Sequence, residues 1–272
     1  MNPLRCGLIG ANIGRSRLAA ALAIMAEAHG RRLDFTPIDT AGDAAFDFPA
    51  AVDALRREGW DGVAVTHPWK THAAAFAGAA MAPDAAELGA ANLVLFRPLA
   101  GHNTDHSGFL AAWGAVMACA PGRVAMAGAG GVARAVAPAL RRLGAEVIVW
   151  DRDANRAKAL AAAFGLRAVD AGDAEAEASR ADGLVNCTPR GMAPDAGSAF
   201  DADWIGPQAW AFDAVYTPTD TPFLQACTRR GLACLTGFDL FRFMAMDSFA
   251  ALAGQRPDPG TTLPALDTLR PG

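Results

Sequence analysis

Two polar segments stand out in an alanine-rich stretch of this chain. They are Thr66-His67-Pro68-Trp69-Lys70 and Gly101-His102-Asn103-Thr104-Asp105. A lysine and an aspartate that meet beside a cleft suit alcohol–ketone chemistry. Reducing a ketone needs a hydride on carbon and a proton on the developing alkoxide. Lys70, held by Asp105, can supply that proton or stabilise the charge. A plainer reading makes Lys70 a solvated helix residue and Asp105 the N-cap of a helix over 106–120. The spacing His102-x-x-Asp105-His106 also invites a metal. No further ligand cluster supports one, so no metal site is expected.

A hydride needs a carrier, and Gly128-Ala129-Gly130-Gly131-Val132-Ala133 suits one. The run fits G-x-G-x-x-G/A between a strand and a helix. Its glycines let backbone approach a pyrophosphate, and the helix N-terminus adds free N–H groups and positive charge. The next strand ends at Asp151, about 20 residues on, where a carboxylate can accept the ribose hydroxyls. Arg152 could cover a 2′-phosphate, but Asp151 and Asp153 flank it and would repel that dianion. NAD is therefore expected to be preferred, with NADP possible. A second loop, from Gly7 to Gly14, also lies between a strand and a helix, with Asp39 ending the next strand. Its glycine spacing is wrong for a nucleotide. Its continuation into Arg15-Ser16-Arg17 suits a small carboxylate as well as a phosphate.

These groups need a scaffold, and the apolar pattern supplies one. Short apolar runs at 4–9, 33–38, 62–66 and 92–96 predict strands, with helices at 17–29 and 49–58. A second series has strands at 123–127, 146–150, 166–169, 183–186 and 209–213, with helices at 132–143, 155–164 and 174–181. This alternation is the signature of parallel α/β sheets. A helix over 106–120 joins the two series. The helical stretch 238–253 has no obvious place to pack except on the first domain, and a short helix is expected around 263–269. The division is then 1–105 for a substrate and catalytic domain, 106–236 for a nucleotide-binding domain, and 237–272 for a segment returning to the first. Lys70 follows a strand's C-terminal end, where open α/β sheets bind ligands. Asp105 sits at the hinge between the halves, next to any interdomain cleft.

Composition narrows the function classes. The 272 residues include 24 Lys+Arg and 28 Asp+Glu, a net charge of −4. No broad nucleic-acid-binding surface is expected from that balance. The least charged window, 106–122, contains Gly108, Gly114, Pro121 and Gly122, so no membrane span is expected. Arg15 and Arg17 interrupt the N-terminal segment where a signal peptide needs an apolar core. The five cysteines, Cys6, Cys119, Cys187, Cys227 and Cys234, include no Cys-x-x-Cys pair. They read as reduced core residues of a cytoplasmic protein.

Taken together, these motifs resemble those of the shikimate and quinate dehydrogenases. The likeness is carried by the two polar segments, the glycine loop and Gly89-Ala90-Ala91-Asn92. It extends to Asn186-Cys187-Thr188-Pro189-Arg190-Gly191-Met192 and Asp213-Ala214-Val215-Tyr216-Thr217-Pro218. The order and spacing agree from Ile9 to about Phe249. The resemblance implies an α/β substrate domain, a doubly wound Rossmann domain and a C-terminal helical segment returning to the first. It also implies reversible hydride transfer between a nicotinamide cofactor and a ring carbonyl, as in 3-dehydroshikimate to shikimate or 3-dehydroquinate to quinate, and a place in aromatic amino acid biosynthesis. Lys70 and Asp105 match the catalytic pair, and Thr66 and Asn92 match residues that hold ring hydroxyls. Ser16 and Arg15 fall in the carboxylate loop, and Tyr216 and Met244 at further substrate positions. Gly128, Ala129, Gly130, Gly131, Val132, Asp151, Arg152, Thr188, Met192 and Gly237 fall at cofactor positions. The partner expected is a small cyclic hydroxy acid, and the chain is expected to be a monomer or homodimer.

The likeness is incomplete at several polar positions. The family's loop usually carries S-x-S-P or S-x-T-P. Here Ser16 is kept, but Leu18-Ala19 replaces the second hydroxyl and the proline, and Arg15 takes the usual histidine position. Ala64 replaces an asparagine and Met244 a glutamine. Losing such contacts in a buried site costs roughly 1–3 kcal/mol each. Either Arg15 or Arg17 grips the carboxylate instead, or the substrate is a related but different ring acid. A third reading is a nucleotide-binding sensor that has lost catalysis.

Overall fold

The apolar runs form strands in two separate sheets. The computed structural model describes residues 3–271. The chain divides into two compact units, one ending at Gly108 and including Arg242–Leu269, the other made of Phe109–Phe241 and the residues from Arg270.

In the first unit the order is β1 (Leu4–Gly10), α1 (Leu18–Ala28), β2 (Leu33–Asp39), α2 (Phe48–Arg57), β3 (Gly62–Val65), α3 (Lys70–Ala77), α4 (Pro83–Ala86), β4 (Leu93–Phe96) and β5 (Leu99–His102). The strands form one sheet in the order β2-β1-β3-β4-β5. The expectation of parallel sheets fails here, because β4 is antiparallel to both β3 and β5. Only Arg97-Pro98 separates β4 from β5, too short for the crossover that a parallel pair needs. The core packs Ile9, Phe48, Val52, Val63, Val65 and Val94 together, with Trp69 and Phe46 at its margin. Strand order reverses between β1 and β3. There the backbone N–H of Ala11 donates to His67 O at 2.9 Å, and that of Thr66 to Ile9 O. Gly10 permits this approach, since a Cβ there would lie 2.2 Å from Thr66 Cγ2.

Helix α5 (Thr104–Val116) leads into the second unit. That unit continues β6 (Arg123–Ala127), α6 (Ala133–Arg142), β7 (Glu146–Trp150), α7 (Ala154–Phe164), β8 (Arg167–Ala168), α8 (Ala174–Ala178), β9 (Gly183–Asn186), β10 (Trp210–Asp213), α9 (Pro222–Arg229) and β11 (Ala233–Thr236). Its sheet is parallel, in the order β11-β10-β9-β6-β7-β8. Read from β8, this is the order of a doubly wound dinucleotide fold, with the crevice between β6 and β9.

The chain leaves the second unit along α10 (Gly237–Ala253) and then forms α11 (Pro259–Asp267). The unit boundaries fall after Gly108 and after Phe241 rather than at 105 and 236. Packing explains the shift. The first turn of α5 is tied to the later part of α10, through Thr104 Oγ1 and Ser248 Oγ at 2.9 Å and Ser107 Oγ donating to Asp247 Oδ2 at 2.5 Å. Farther along α5, Phe109 packs on Phe212, and the start of α10 places Phe241 on Tyr216. Arg270 pairs with Asp220 at 2.9 Å, which keeps the C-terminal residues with the second unit.

Cys6, Cys187 and Cys227 are buried, but Cys119 is exposed and Cys234 half-buried. Cys119 lies beyond the end of α5, before the Pro121-Gly122 turn, so the core assignment fails for it. No helix among the described residues is long and apolar enough to cross a membrane.

The second unit depends on Trp210. It is fully buried, its ring meets Trp113 edge-on at 4.7 Å, and its Nε1 donates to Pro121 O at 3.1 Å. Gly183 leaves it room, since a Cβ there would sit 2.0 Å from the indole. Trp210→Ala is expected to cost about 3–5 kcal/mol, read as a lower denaturant midpoint. A cost below about 1 kcal/mol would show that the site collapses around the gap.

Candidate active site

Lys70 begins α3, directly after the turn that leaves β3. Its Nζ donates to Asp105 Oδ2 at 2.6 Å, and the two side chains are only 19% and 11% exposed. Several contacts hold this lysine in place. Its carbonyl accepts from Ala91 N at 2.8 Å. Its neighbour Trp69 stacks on Phe48, tilts against Phe46, and donates Nε1 to Thr40 Oγ1 at 2.8 Å.

Asp105 does not cap its helix. Asn103 does, with Oδ1 accepting from His106 N at 3.1 Å while its Nδ2 donates to Ala90 O at 2.9 Å. The Asp105 carboxylate is therefore left for Lys70. It lies in the first turn of α5, where the helix dipole favours an anion. Lys70 lies in the first turn of α3, where the dipole disfavours a cation. The pair offsets that mismatch.

Asn92 is the next group in this cluster. Its Oδ1 accepts from Thr104 N at 2.7 Å and Thr104 Oγ1 at 3.1 Å. Since the Thr104 proton goes to Asn92, Thr104 Oγ1 accepts from Ser248. This chain of bonds turns the Asn92 amide so that Nδ2 faces away from Thr104. The predicted residues Lys70, Asp105, Asn92 and Thr66 thus gather where β3, β4 and α5 meet. Asn103, Thr104 and Ser248 complete the cluster. Asn103 and Thr104 lie inside a motif the sequence singles out, but only the fold reveals what they do. Ser248 carries no sequence signal.

The loop after β1 borders this cluster through Ala11 and His67. Asn12 adopts a left-handed conformation, φ 57°. Asp39 Oδ1 accepts from Asn12 N and Ala41 N, both at 2.9 Å, and Oδ2 from Ile13 N at 3.1 Å. The carboxylate that gives this loop its nucleotide-like look is spent on pinning it. The loop presents Arg15 and Ser16, both exposed, and Ser16 Oγ accepts from Leu18 N at 3.3 Å. Leu18 and Ala64 are buried, Leu18 as the first residue of α1 and Ala64 within β3. Met244 lies close beside Gly108, and Ser248 Oγ approaches its Sδ at 3.7 Å.

The second unit holds the remaining predicted groups. Gly128 has φ +95°, and a Cβ there would strike Cys187 backbone and Thr188 Cγ2 at 2.8 Å. Gly130 and Gly131 border open space. Val132 is the N-cap residue of α6, and no side chain caps that helix. The open cradle and uncapped N-terminus fit a pyrophosphate. Asp151 Oδ2 accepts from Ala129 N at 2.8 Å, and Oδ1 from Asp153 N at 2.9 Å. Asp153 caps α7, and Arg152 is exposed. Thr188 bonds Asn186, Met192 is 42% exposed, and Tyr216 stacks on Phe241 at 5.3 Å. Gly237 lies against the carbonyls of Ala214 and Val215, which a Cβ would meet at 2.6 and 2.7 Å. No group of three His, Cys, Asp or Glu among the described residues could hold a metal.

A doubly wound unit with an open glycine loop and a unit holding a lysine–aspartate pair together define a dinucleotide-dependent oxidoreductase. Comparison with known proteins sharpens that class. Residues 8–94 match the shikimate dehydrogenase substrate binding domain, and residues 123–206 match the coenzyme F420-dependent NADP oxidoreductase domain. The chain is 36% identical over 266 residues to a quinate/shikimate dehydrogenase (NAD(+)) of Corynebacterium efficiens, covering 93% of each. It is 37% identical over 265 residues to a shikimate dehydrogenase (NADP(+)) of Streptomyces avermitilis, covering 93% of this chain and 91% of that one. Its fold matches a quinate dehydrogenase from Corynebacterium glutamicum in complex with NAD, with TM-score 0.91, 32% identity and 99% of both chains covered. The chain belongs to the shikimate/quinate dehydrogenase family of oxidoreductases.

The three backbone N–H bonds on Asp39 have a consequence for acid stability. Hydrogen bonds, led by that from Ala41, hold its carboxyl below the usual carboxylate range. A depressed pKa contributes stability that is present above the unfolded value near 3.9 and lost as pH falls through the folded value. Asp39→Asn is therefore expected to be less stable than the wild type near neutrality, with the gap closing as pH falls below about 4. Denaturant melts at several pH values check this, and a pH-independent gap would contradict it.

Proposed function

We propose that this chain interconverts 3-dehydroshikimate and shikimate, or 3-dehydroquinate and quinate, with Lys70 and Asp105 as the catalytic pair. The observation that carries this reading is the 2.6 Å contact between Lys70 Nζ and Asp105 Oδ2. When bound, the nicotinamide cofactor supplies or accepts the hydride. Gly128, Ala129, Gly130, Gly131 and Val132 would hold its pyrophosphate, and Asp151 its ribose, with Arg152, Thr188, Met192 and Gly237 nearby. In the reducing direction Lys70 Nζ gives its proton to the carbonyl oxygen as that atom becomes an alkoxide. In reverse it takes the proton back. Asp105 keeps the ammonium aimed and compensates its charge. Asn92 Nδ2 donates to a ring hydroxyl, and the Thr66 hydroxyl holds another. Tyr216 and Met244 shape the rest of the ring site. Arg15, with Ser16, grips the carboxylate.

NAD is the preferred cofactor in this reading, with NADP as the alternative. Asp151 already accepts two backbone N–H bonds but keeps lone pairs for ribose hydroxyls. Its negative charge opposes a 2′-phosphate.

A second reading keeps the chemistry and changes the ring. Leu18 and Ala64 are buried and apolar, and Met244 offers only a thioether. A less hydroxylated or otherwise altered cyclic acid would suit such a site.

Initial rates with shikimate and quinate, each with NAD+ and NADP+, decide among these. Fastest turnover is expected with NAD+ and one of the two acids. Absence of turnover with either acid, in protein that binds cofactor, favours the altered ring. Lys70→Ala should lower kcat by at least a hundredfold and leave cofactor affinity near normal. Unchanged turnover would remove Lys70 from the mechanism.

A further inference from the structure

The ends of β9 and β10 contain a buried carboxylate that no catalytic role explains. Asp213 is fully buried, as are Asn186 and Thr221. Its Oδ1 accepts from Asn186 Nδ2 at 2.8 Å and Val215 N at 3.0 Å, and its Oδ2 from Thr221 Oγ1 at 2.6 Å. No cation pairs with it among the described residues. Asn186 is fully used as well. Its Nδ2 also donates to Arg190 O at 3.0 Å, and its Oδ1 accepts from Thr188 N at 2.9 Å and Thr188 Oγ1 at 2.6 Å.

We propose that Asp213 is a positioning residue for cofactor binding, its carboxylate holding the loops after β9 and β10 where the dinucleotide docks. This rests on the functional reading above.

The geometry supports it from two sides. Strands β6 and β9 flank the crevice where a doubly wound sheet takes its ligand. Gly128, at the end of β6, already abuts Cys187 and Thr188 at the end of β9. Through Asn186, Asp213 fixes both Thr188 and the Arg190 carbonyl. Through Val215 and Thr221 it fixes the loop that carries Tyr216. Gly191 closes the arrangement, with Thr221 Cγ2 3.1 Å from where its Cβ would be. One carboxylate thus sets the relative position of the two loops.

Its energetics argue against a purely structural role. Burial pushes the Asp213 carboxyl up to about 6, against the opposing bonds from Thr221, Val215 and Asn186. A raised carboxyl binds its proton more tightly folded than unfolded. The ionised form therefore costs stability at neutral pH, and that cost fades as pH falls through about 6. An asparagine in its place would avoid the cost of the charge but would put an amide donor against groups that themselves donate. Protonation turns an acceptor-only group into one that must also donate, so one of its three donors loses its acceptor.

The surrounding charged and titratable groups do not reproduce this change. The thiols of Cys187 and Cys227 are both pushed up by burial, away from the acid range. Asp239 is engaged by Thr236 N and Oγ1, Arg190 pairs with Asp195, and Asp220 with Arg270.

Calorimetric titration of the full chain with NAD+ and with NADP+ from pH 8 to pH 5 tests the proposal, comparing wild type with Asp213→Asn. At pH 7.5 Asp213→Asn should bind the preferred cofactor about tenfold more weakly. Wild-type affinity should fall toward the variant's value as pH drops through about 6, while the variant's stays flat. Equal cofactor affinity in the two proteins across the pH range overturns the proposal. Should Asp213→Asn fail to fold, the wild-type arm decides, because an affinity flat from pH 8 to pH 5 also overturns it. Wild type that binds neither cofactor defeats the functional reading itself, a different outcome from two proteins that bind equally.

Discussion

The ion pair between Lys70 and Asp105 is the constraint around which the first unit is arranged. An ammonium that is mostly out of water, at the positive end of a helix, is unfavourable on both counts. Asp105 makes it tolerable, but only because another residue caps α5. Were Asp105 to cap the helix, its oxygens would face backbone N–H groups and Lys70 would lose its partner. Asn103 takes that duty and simultaneously ties the helix start to Ala90. Trp69, locked among Phe46, Phe48 and Thr40, fixes where the lysine begins. The result is an ion pair on two rigid helix starts, a better platform for proton transfer than a mobile loop.

The two units solve one local problem in the same way. Each has a loop between its first strand and following helix, and each holds that loop with an aspartate from the end of the next strand. Asp39 accepts from Asn12 and Ile13, and Asp151 accepts from Ala129. The difference lies in what remains. Asp39 accepts three backbone N–H bonds, in a loop carrying Arg15 and Arg17. Asp151 accepts two, beside the open glycines of an uncapped helix. Similar scaffolding therefore supports the loop proposed to grip a carboxylate in one unit and the loop proposed to cradle a pyrophosphate in the other. Asp213 extends the theme, with a buried carboxylate that adds side-chain bonds to the backbone pairing at the ends of β9 and β10.

Much of this was legible in the residues. The strands Arg123–Ala127, Glu146–Trp150 and Gly183–Asn186 have the bounds their apolar runs indicate. A strand buried on both faces of a parallel sheet must be apolar throughout. The glycine loop, Lys70 and Asp105 were readable because their chemistry limits which residues can serve. Strand β5 was not, since Leu99–His102 holds a glycine and a histidine and is only partly buried. Helix α3 was hidden because its first residue belongs to a polar motif and the rest is largely alanine. The duties of Asn103 and Ser248 depend on contacts across 13 and 144 positions, which no local pattern encodes. Asp213 read as the end of a strand and the start of a motif, because its burial and the bonds it makes leave no trace in sequence.

The account stands on Lys70 and Asp105 acting as one device, and a double-mutant cycle on turnover tests that most directly. Lys70→Ala and Asp105→Asn should each lower kcat by a hundredfold or more, and the double variant should fall no lower than the poorer single. Losses that multiply, or an Asp105→Asn enzyme with near wild-type turnover, would contradict it.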